Sequence, residues 1–293
     1  MSDPMTGAVT ETRLSRGEWE WRRQRHRERV DALIGDYLRS RRRGSKHPVI
    51  DFLFTYYSSR PAHVRRWHPG YGVVLADADE FLSMRGYRRV DGGVSVDPAY
   101  LSSRTGALAA TEALLRATAS RPARLGCFGL HEWAMVYRTD DIRHDLPLRL
   151  GRAGTDAVVD QMPLHCTHFD AFRFFTPAAR PHNEAELSRD RQLSDEQPGC
   201  LHATMDLYRA CFTLAPLIDS ALTLDSFALA LRSRELDMRA SPYDLRALGY
   251  PPVPIETPTG RAQYVREQSE IADAGAILRA RVADRCRELL GQT

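Results

Sequence analysis

The sequence lacks the features of a membrane or secreted protein. It contains no run of 18 apolar residues, which excludes a transmembrane helix. Residues 1–12 are polar and acidic, and they lack the basic and apolar regions of a secretory signal. We therefore predict a cytoplasmic protein without a membrane partner, in which residues 1–12 form a disordered tail.

Cysteine is scarce, and no strict metal motif is present. The five cysteines lie at positions 127, 166, 200, 211 and 286, without a C-x-x-C pair. Their odd number and wide spacing fit a reducing compartment and argue against a disulfide framework or a cysteine-rich zinc knuckle. The sequence also lacks an H-E-x-x-H motif and an internal repeat. A metal site, if present, must therefore be assembled from separate segments.

The composition and the periodicity favour one mostly helical domain. The 293 residues are 43% hydrophobic and 27% charged, which is ordinary for a globular chain with a sizeable core. We predict an α+β fold, with a single domain over 47–293 and a basic helical arm over 13–46. Short strands are predicted at 73–75 and in a hairpin within 85–96. Long helices are predicted at about 99–120, 196–214, 217–236 and 259–290.

Positive charge is concentrated near the N-terminus. Residues 13–46 carry twelve arginines and lysines against five acidic residues, whereas the rest of the chain is mildly acidic. Such asymmetry indicates an anionic partner, and we predict DNA or RNA. Residues 56–71 interleave cations with aromatics, which is typical both of phosphate and base contacts and of a packed loop with cation–π contacts. The candidate phosphate-binding residues are Arg41, Arg42, Arg43, Arg60, Arg65 and Arg66.

Titratable side chains are concentrated in the stretch 163–175. This stretch combines two histidines, a cysteine, an aspartate and an arginine with four phenylalanines. In a strand, Cys166, His168 and Asp170 would share one face, whereas in a helix His165 and His168 would lie one turn apart. Either arrangement holds polar groups beside large apolar ones, where pKa values shift. The stretch is a candidate site, or else a core segment whose histidines are satisfied by hydrogen bonds.

Two other segments offer similar side chains, and together the three suggest a metal site. His131 and Glu132 lie among apolar neighbours, and His202 and Asp206 have the i, i+4 spacing of one helix face. Two histidines and a carboxylate suit iron, manganese or zinc and leave coordination positions open. This predicts a metal-dependent enzyme of unknown substrate. The candidate ligands are His131, Glu132, His165, His168, Asp170, His202 and Asp206.

The same residues also allow cleavage of an N-glycosidic bond without a cofactor. A buried carboxylate would stabilise the cationic transition state or activate water, while aromatic side chains hold a flipped base. The candidate catalytic residues are Asp170, Glu132 and His168. The candidate stacking residues are Trp67, Tyr71 and Trp133. A non-catalytic nucleic-acid-binding protein would explain the basic arm but not the titratable residues in apolar segments.

Several runs of the sequence carry a family resemblance. They are 47–61, 66–70, 166–175, 196–202 and 237–244. In these runs the chain resembles a group of actinobacterial proteins commonly labelled 3-methyladenine DNA glycosylase, over about residues 47–293. The resemblance implies a DNA-repair hydrolase that removes alkylated purines, with DNA as partner and no cofactor. We take this as the leading expectation and the metal-dependent enzyme as its alternative.

Overall fold

The computed structural model describes residues 12–142 and 144–293. The predicted disordered tail lies outside the described residues, except for Thr12. The strands are β1 (Thr12–Leu14), β2 (Val73–Leu75), β3 (Tyr87–Val90) and β4 (Gly93–Val96). The helices are α1 (Arg16–Arg42), α2 (Ile50–Thr55), α3 (Pro61–Arg65), α4 (Pro98–Ser103), α5 (Thr105–Ala119), α6 (Leu130–Ala134), α7 (Gly151–Gln161), α8 (Phe169–Phe172), α9 (Gln192–Asp195), α10 (Leu201–Thr213), α11 (Ser220–Ala240) and α12 (Pro258–Leu290). The predominantly helical α+β prediction is confirmed.

Four long helices form the body of the molecule. Helix α5 packs against α12, α12 packs against α11, and α11 packs against α10. Polar N-caps start two of them, because the side chains of Asp219 and Thr257 accept hydrogen bonds from free backbone N–H groups of α11 and α12. Within the described residues, no helix combines the length and the apolar character needed to cross a membrane.

A small sheet with the strand order β1-β2-β4-β3 closes one side of the body. Strands β1 and β2 are parallel, and β3 and β4 form the predicted hairpin, with Tyr87 opposite Val96. Glycine is required at position 93, because its φ is +153° and a Cβ there would lie 2.1 Å from the carbonyl oxygen of Leu75. The close approach of the hairpin to β2 therefore depends on this residue.

The basic helix α1 is part of the main core. Trp19, Val30 and Ile34 are buried in the same apolar cluster as the four long helices, and the indole of Trp19 donates to the carbonyl of Ala76 at 2.9 Å. The preceding strand β1 joins the sheet. The segment predicted as an arm is therefore packed on the body, because its apolar stripe needs a partner surface to be buried.

Three predicted elements have different bounds in the structure. The helix predicted over 99–120 is divided at Arg104, whose φ and ψ of −108° and 2° end α4. The helix predicted from 196 begins at Leu201, because Pro198 and Gly199 keep the preceding residues out of the helix. Helix α11 continues to Ala240, beyond its predicted end at 236. As a result of the last two differences, Glu196 lies before α10 and Asp237 lies within α11.

Candidate metal and acid–base centre

The first cluster joins His131 of α6, His202 of α10 and Asp237 of α11. One donor atom from each lies within 4.8 Å of the others, and all three side chains are buried. His131 Nε2 and Asp237 Oδ1 are 2.9 Å apart, yet in the described part of the chain neither atom has a hydrogen bond of acceptable geometry. Together with His202, these two atoms surround one position that a metal ion could take.

Arg234 supports this cluster from one turn earlier on α11. Its guanidinium donates to Asp237 Oδ2 at 2.7 Å and to Glu132 Oε1 at 2.5 Å, and it lies over the ring of Phe52 at 3.9 Å. The arginine is fully buried. It fixes one oxygen of Asp237 and leaves the other directed at His131, an arrangement typical of the groups that orient metal ligands.

The second cluster joins His168, Glu196 and Asp206. His168 Nε2 lies 3.2 Å from Asp206 Oδ2 and 3.4 Å from Glu196 Oε1. The other oxygen of Asp206 accepts a hydrogen bond from the hydroxyl of Tyr57 at 2.8 Å. A protonated His168 forms a buried ion pair with the two carboxylates through Nε2, and with that proton removed the same three groups could bind a metal ion.

The two clusters are in contact through their histidine rings. The ring centroid of His202 lies 4.5 Å from that of His131 and 5.3 Å from that of His168. The shared face of α10 explains this proximity, because His202 and Asp206 are one turn apart and belong to different clusters. A change of protonation or charge in one cluster therefore shifts the pKa values in the other.

Burial and charge shift the pKa values within the centre. Burial alone would lower the pKa of His131, but Asp237 and Glu132 together outweigh it and raise the pKa. The pKa of His202 falls well below its ordinary value, because the ring is buried and lies beside His131. Burial would also lower the pKa of His168, but Glu196 and Asp206 raise it to about 9. The His202 imidazole is therefore neutral and ready to bind a cation.

A small cavity borders the first cluster. Its volume is about 20 Å³, which is room for about one water molecule. Cys127, Cys166 and Cys200 line it together with His131 and His202, so three thiols distant in sequence converge here. Burial raises the pKa of Cys166 to about 12 and that of Cys200 well above its ordinary value, so both remain thiols. Neither has the thiolate character of a nucleophile.

The two clusters contain four of the seven predicted ligands, His131, His168, His202 and Asp206, and leave out Glu132, His165 and Asp170. Residues 163–168 are extended and the short helix α8 follows, so the central stretch is partly strand-like and partly helical. This turns His168 inward, whereas His165 is half-exposed and contacts Glu184. Asp170 is buried, but it is bound by Arg173, Arg189 and Arg209 and belongs to neither cluster.

The other predicted residues are spread over the molecule. Trp133 is fully buried and its indole donates to the carbonyl of Ala240, so it has no exposed face. Trp67 is largely buried against Phe81, and Tyr71 is half-buried. Among the arginines, Arg41 and Arg65 are paired with Asp51 and Asp31. Of the six candidates, Arg65 is half-buried and the other five are exposed.

Sequence reasoning missed four residues of the centre. Glu196 was predicted at the start of a helix, and Asp237 follows the predicted end of another. Tyr57 was considered only as an aromatic residue of the stretch 56–71, and Arg234 was not considered. A usable signal existed for one pair, because Arg234 and Asp237 have the i, i+3 spacing of one helix face. Glu196 and Tyr57 carry no local signal, since their partners lie elsewhere in the chain.

Comparison with known proteins does not add to this geometry. No family model, curated protein or solved structure matches the chain. The resemblance to DNA glycosylases and the site residues attributed to it therefore stay predictions.

Proposed function

We propose that this chain is a metal-dependent enzyme in which His131, His202 and Asp237 hold a divalent iron, manganese or zinc ion. The observation that carries the proposal is the meeting of two imidazoles and one carboxylate in a buried position, where His131 Nε2 and Asp237 Oδ1 lie 2.9 Å apart without the geometry of a hydrogen bond. A buried polar atom without a hydrogen bond costs about 1–3 kcal/mol. A cation at this position would remove that cost for both atoms.

The surroundings of the three donors also support a cation. The oxygen of Asp237 that would not bind the metal accepts a hydrogen bond from Arg234, which in turn is bound by Glu132. Two histidines and one carboxylate leave coordination positions open for other ligands. His131 and His202 also line the small cavity. When bound, the ion would supply a Lewis acid at the cavity.

The second cluster gives the same site a proton carrier. His168 lies in ring contact with His202 and has its Nε2 between two carboxylates. Its Nδ1 is buried and has no hydrogen bond within the described residues. A histidine held in this way can store a proton beside the reacting position, which is the role of a general acid or base.

The geometry favours this function over N-glycosidic hydrolysis by Asp170 or Glu132. Three guanidinium groups surround Asp170, and Glu132 is bound by the buried Arg234. Carboxylate oxygens that are engaged by guanidinium groups are poorly placed to bind and activate water. The glycosylase function implied by the resemblance stays a prediction.

Cobalt(II) titration of the chelator-treated protein tests the proposed ligand set. The wild-type protein should bind about one equivalent with visible d–d absorption, and His202→Asn should weaken binding by more than about 100-fold, since even a supporting residue contributes 10–100-fold. His165→Asn is the matched control, because His165 lines the cavity but belongs to neither cluster. Equal binding by wild type and His202→Asn would refute the ligand set.

We also propose a reducing compartment such as the cytoplasm. All five cysteines are free, and three of them line the cavity beside the first cluster. Thiols in this number persist where glutathione and thioredoxin keep them reduced.

A further inference from the structure

A second cavity lies at the other end of α11 from the His/carboxylate centre. It is a groove of about 600 Å³ between α1, residues 67–73, the start of α11 and the end of α12. Asp237 is 17 residues from Ser220, which at 1.5 Å per residue is about 25 Å along the helix. The groove is therefore separate from the centre, and its volume is in the range of about 300–1,000 Å³ found for small-molecule sites.

Positive charge dominates the walls of this groove. Four arginines line it, Arg22, Arg25, Arg29 and Arg285, against one carboxylate, Asp219. Arg22, Arg25 and Arg29 follow one another at i, i+3 and i+7 on α1, which places them on one face. Asp219 already caps the start of α11 with its own side chain. The charge is therefore not neutralised within the groove.

Arg22 and Arg25 are only weakly engaged by the protein. Arg29 pairs with Asp225 at 2.7 Å at the surface, whereas the half-buried Arg285 pairs with Glu288 at 3.2 Å and donates to the carbonyl of Tyr71 at 2.7 Å. Arg25 reaches Glu28 at 3.6 Å, and within the described residues no carboxylate pairs with Arg22. Exposed ion pairs contribute about 0–1 kcal/mol, so an anionic ligand can replace them at little cost.

Aromatic side chains accompany the arginines. Trp21 is 65% exposed, whereas Trp19 and Trp133 are fully buried and Trp67 is 8% exposed. The ring of Trp21 lies beside Arg25, whose guanidinium carbon is 6.0 Å from the ring centroid. Tyr71 lines the same groove. An exposed indole next to free guanidinium groups is suited to stack on a flat ring that carries phosphate.

We propose that this groove binds a nucleoside phosphate, with the base stacked on Trp21 and the phosphates on Arg22 and Arg25. The same chemistry is offered by a free nucleotide and by one unit of a single strand of nucleic acid. This site is independent of the metal proposal, because it shares no residue with either cluster.

Calorimetric titration with ADP and with a twelve-residue single-stranded oligonucleotide tests the proposal, and adenosine and inorganic phosphate serve as half-ligands. In the calorimetric titration, ADP or the oligonucleotide should bind, and the half-ligands should bind more weakly. In a parallel fluorescence titration, the bound ligand should quench the emission of Trp21. Arg22→Gln/Arg25→Gln should weaken binding at least about tenfold, since charge-assisted hydrogen bonds to phosphate are lost. Trp21→Phe should remove the larger part of the quenching.

Arg27→Gln is the matched control, because Arg27 is exposed on the same helix outside the groove. Its binding should equal that of the wild type. Binding of the oligonucleotide without ADP would place the nucleotide in a strand and support the groove. No binding of either ligand to the wild-type protein would overturn the proposal, as would an equal loss in Arg27→Gln. The thermal unfolding midpoint of each variant shows whether it is folded.

Discussion

The charged side chains at the two ends of α11 differ in their burial and in their pairing. At its C-terminal end, Arg234 and Asp237 are fully buried, and each charge has a partner at a fixed distance. At its N-terminal end, Arg22, Arg25 and Arg29 of the groove are exposed, and their carboxylate partners lie at the surface or are absent among the described residues. Buried charges define one arrangement, because breaking it leaves an uncompensated ion in an apolar medium. Exposed charges stay available for a ligand.

The largest effect should follow from removing the buried cation. We expect Arg234→Met to lower the free energy of unfolding by about 3–5 kcal/mol, because Glu132 and Asp237 lose a buried partner. Arg232→Met is the control on the same helix, since Arg232 pairs with Glu270 at the surface and its loss should cost less than about 1 kcal/mol. Urea denaturation measures both. Equal losses in the two variants would contradict the distinction between the ends of α11.

A smaller effect should come from His68, which lines the groove. Its pKa is lowered to about 4, because the ring is buried and Arg66 and His26 add positive charge. The unfolded chain takes up the proton near pH 6.5, so stability is complete above that pH and is lost as the pH falls towards 4. Between pH 7 and pH 5 we expect a loss of about 1–2 kcal/mol from this residue.

The measurement is urea unfolding of wild type and His68→Gln at both pH values. The variant should lose less stability on acidification, because glutamine does not titrate. The exposed His182 provides the control His182→Gln, which should behave like the wild type. If His68→Gln and the wild type lose the same free energy, the titration of His68 does not limit stability.

The smallest effect is expected from the surface pairs of the groove. Arg29→Gln removes the ion pair with Asp225, which should change the free energy of unfolding by less than about 1 kcal/mol. The difference from wild type should shrink further in 1 M salt, because exposed charges are screened. Thermal unfolding at low and high salt measures it. A loss as large as that of Arg234→Met would show that the groove is structural.

Local patterns in the sequence explain why part of this architecture could be predicted. The hairpin of β3 and β4 follows from alternating residues around two glycines, and the long helices follow from apolar periodicity. Strand β1 has only three residues and pairs with β2 about 60 positions later, so nothing nearby indicates it. Pairing at such a separation depends on the folded core.

The same reasoning applies to the site. His202 and Asp206 were predicted on one helix face, and the structure confirms that they are adjacent there. The sequence did not indicate that they serve two clusters, because His131 and Asp237 lie 71 and 35 positions from His202. Asp237 was missed because α11 was predicted to end at 236, just before the residue that completes the first cluster.

Elemental analysis of natively purified, untagged protein tests the central claim most directly. Wild type and the groove variant Arg25→Gln should both contain about one equivalent of iron, manganese or zinc, and His202→Asn should contain almost none. About two equivalents in the wild type would place a second ion at His168, Glu196 and Asp206. A folded wild-type protein without metal, or a His202→Asn variant with as much metal as the wild type, would contradict the proposed centre.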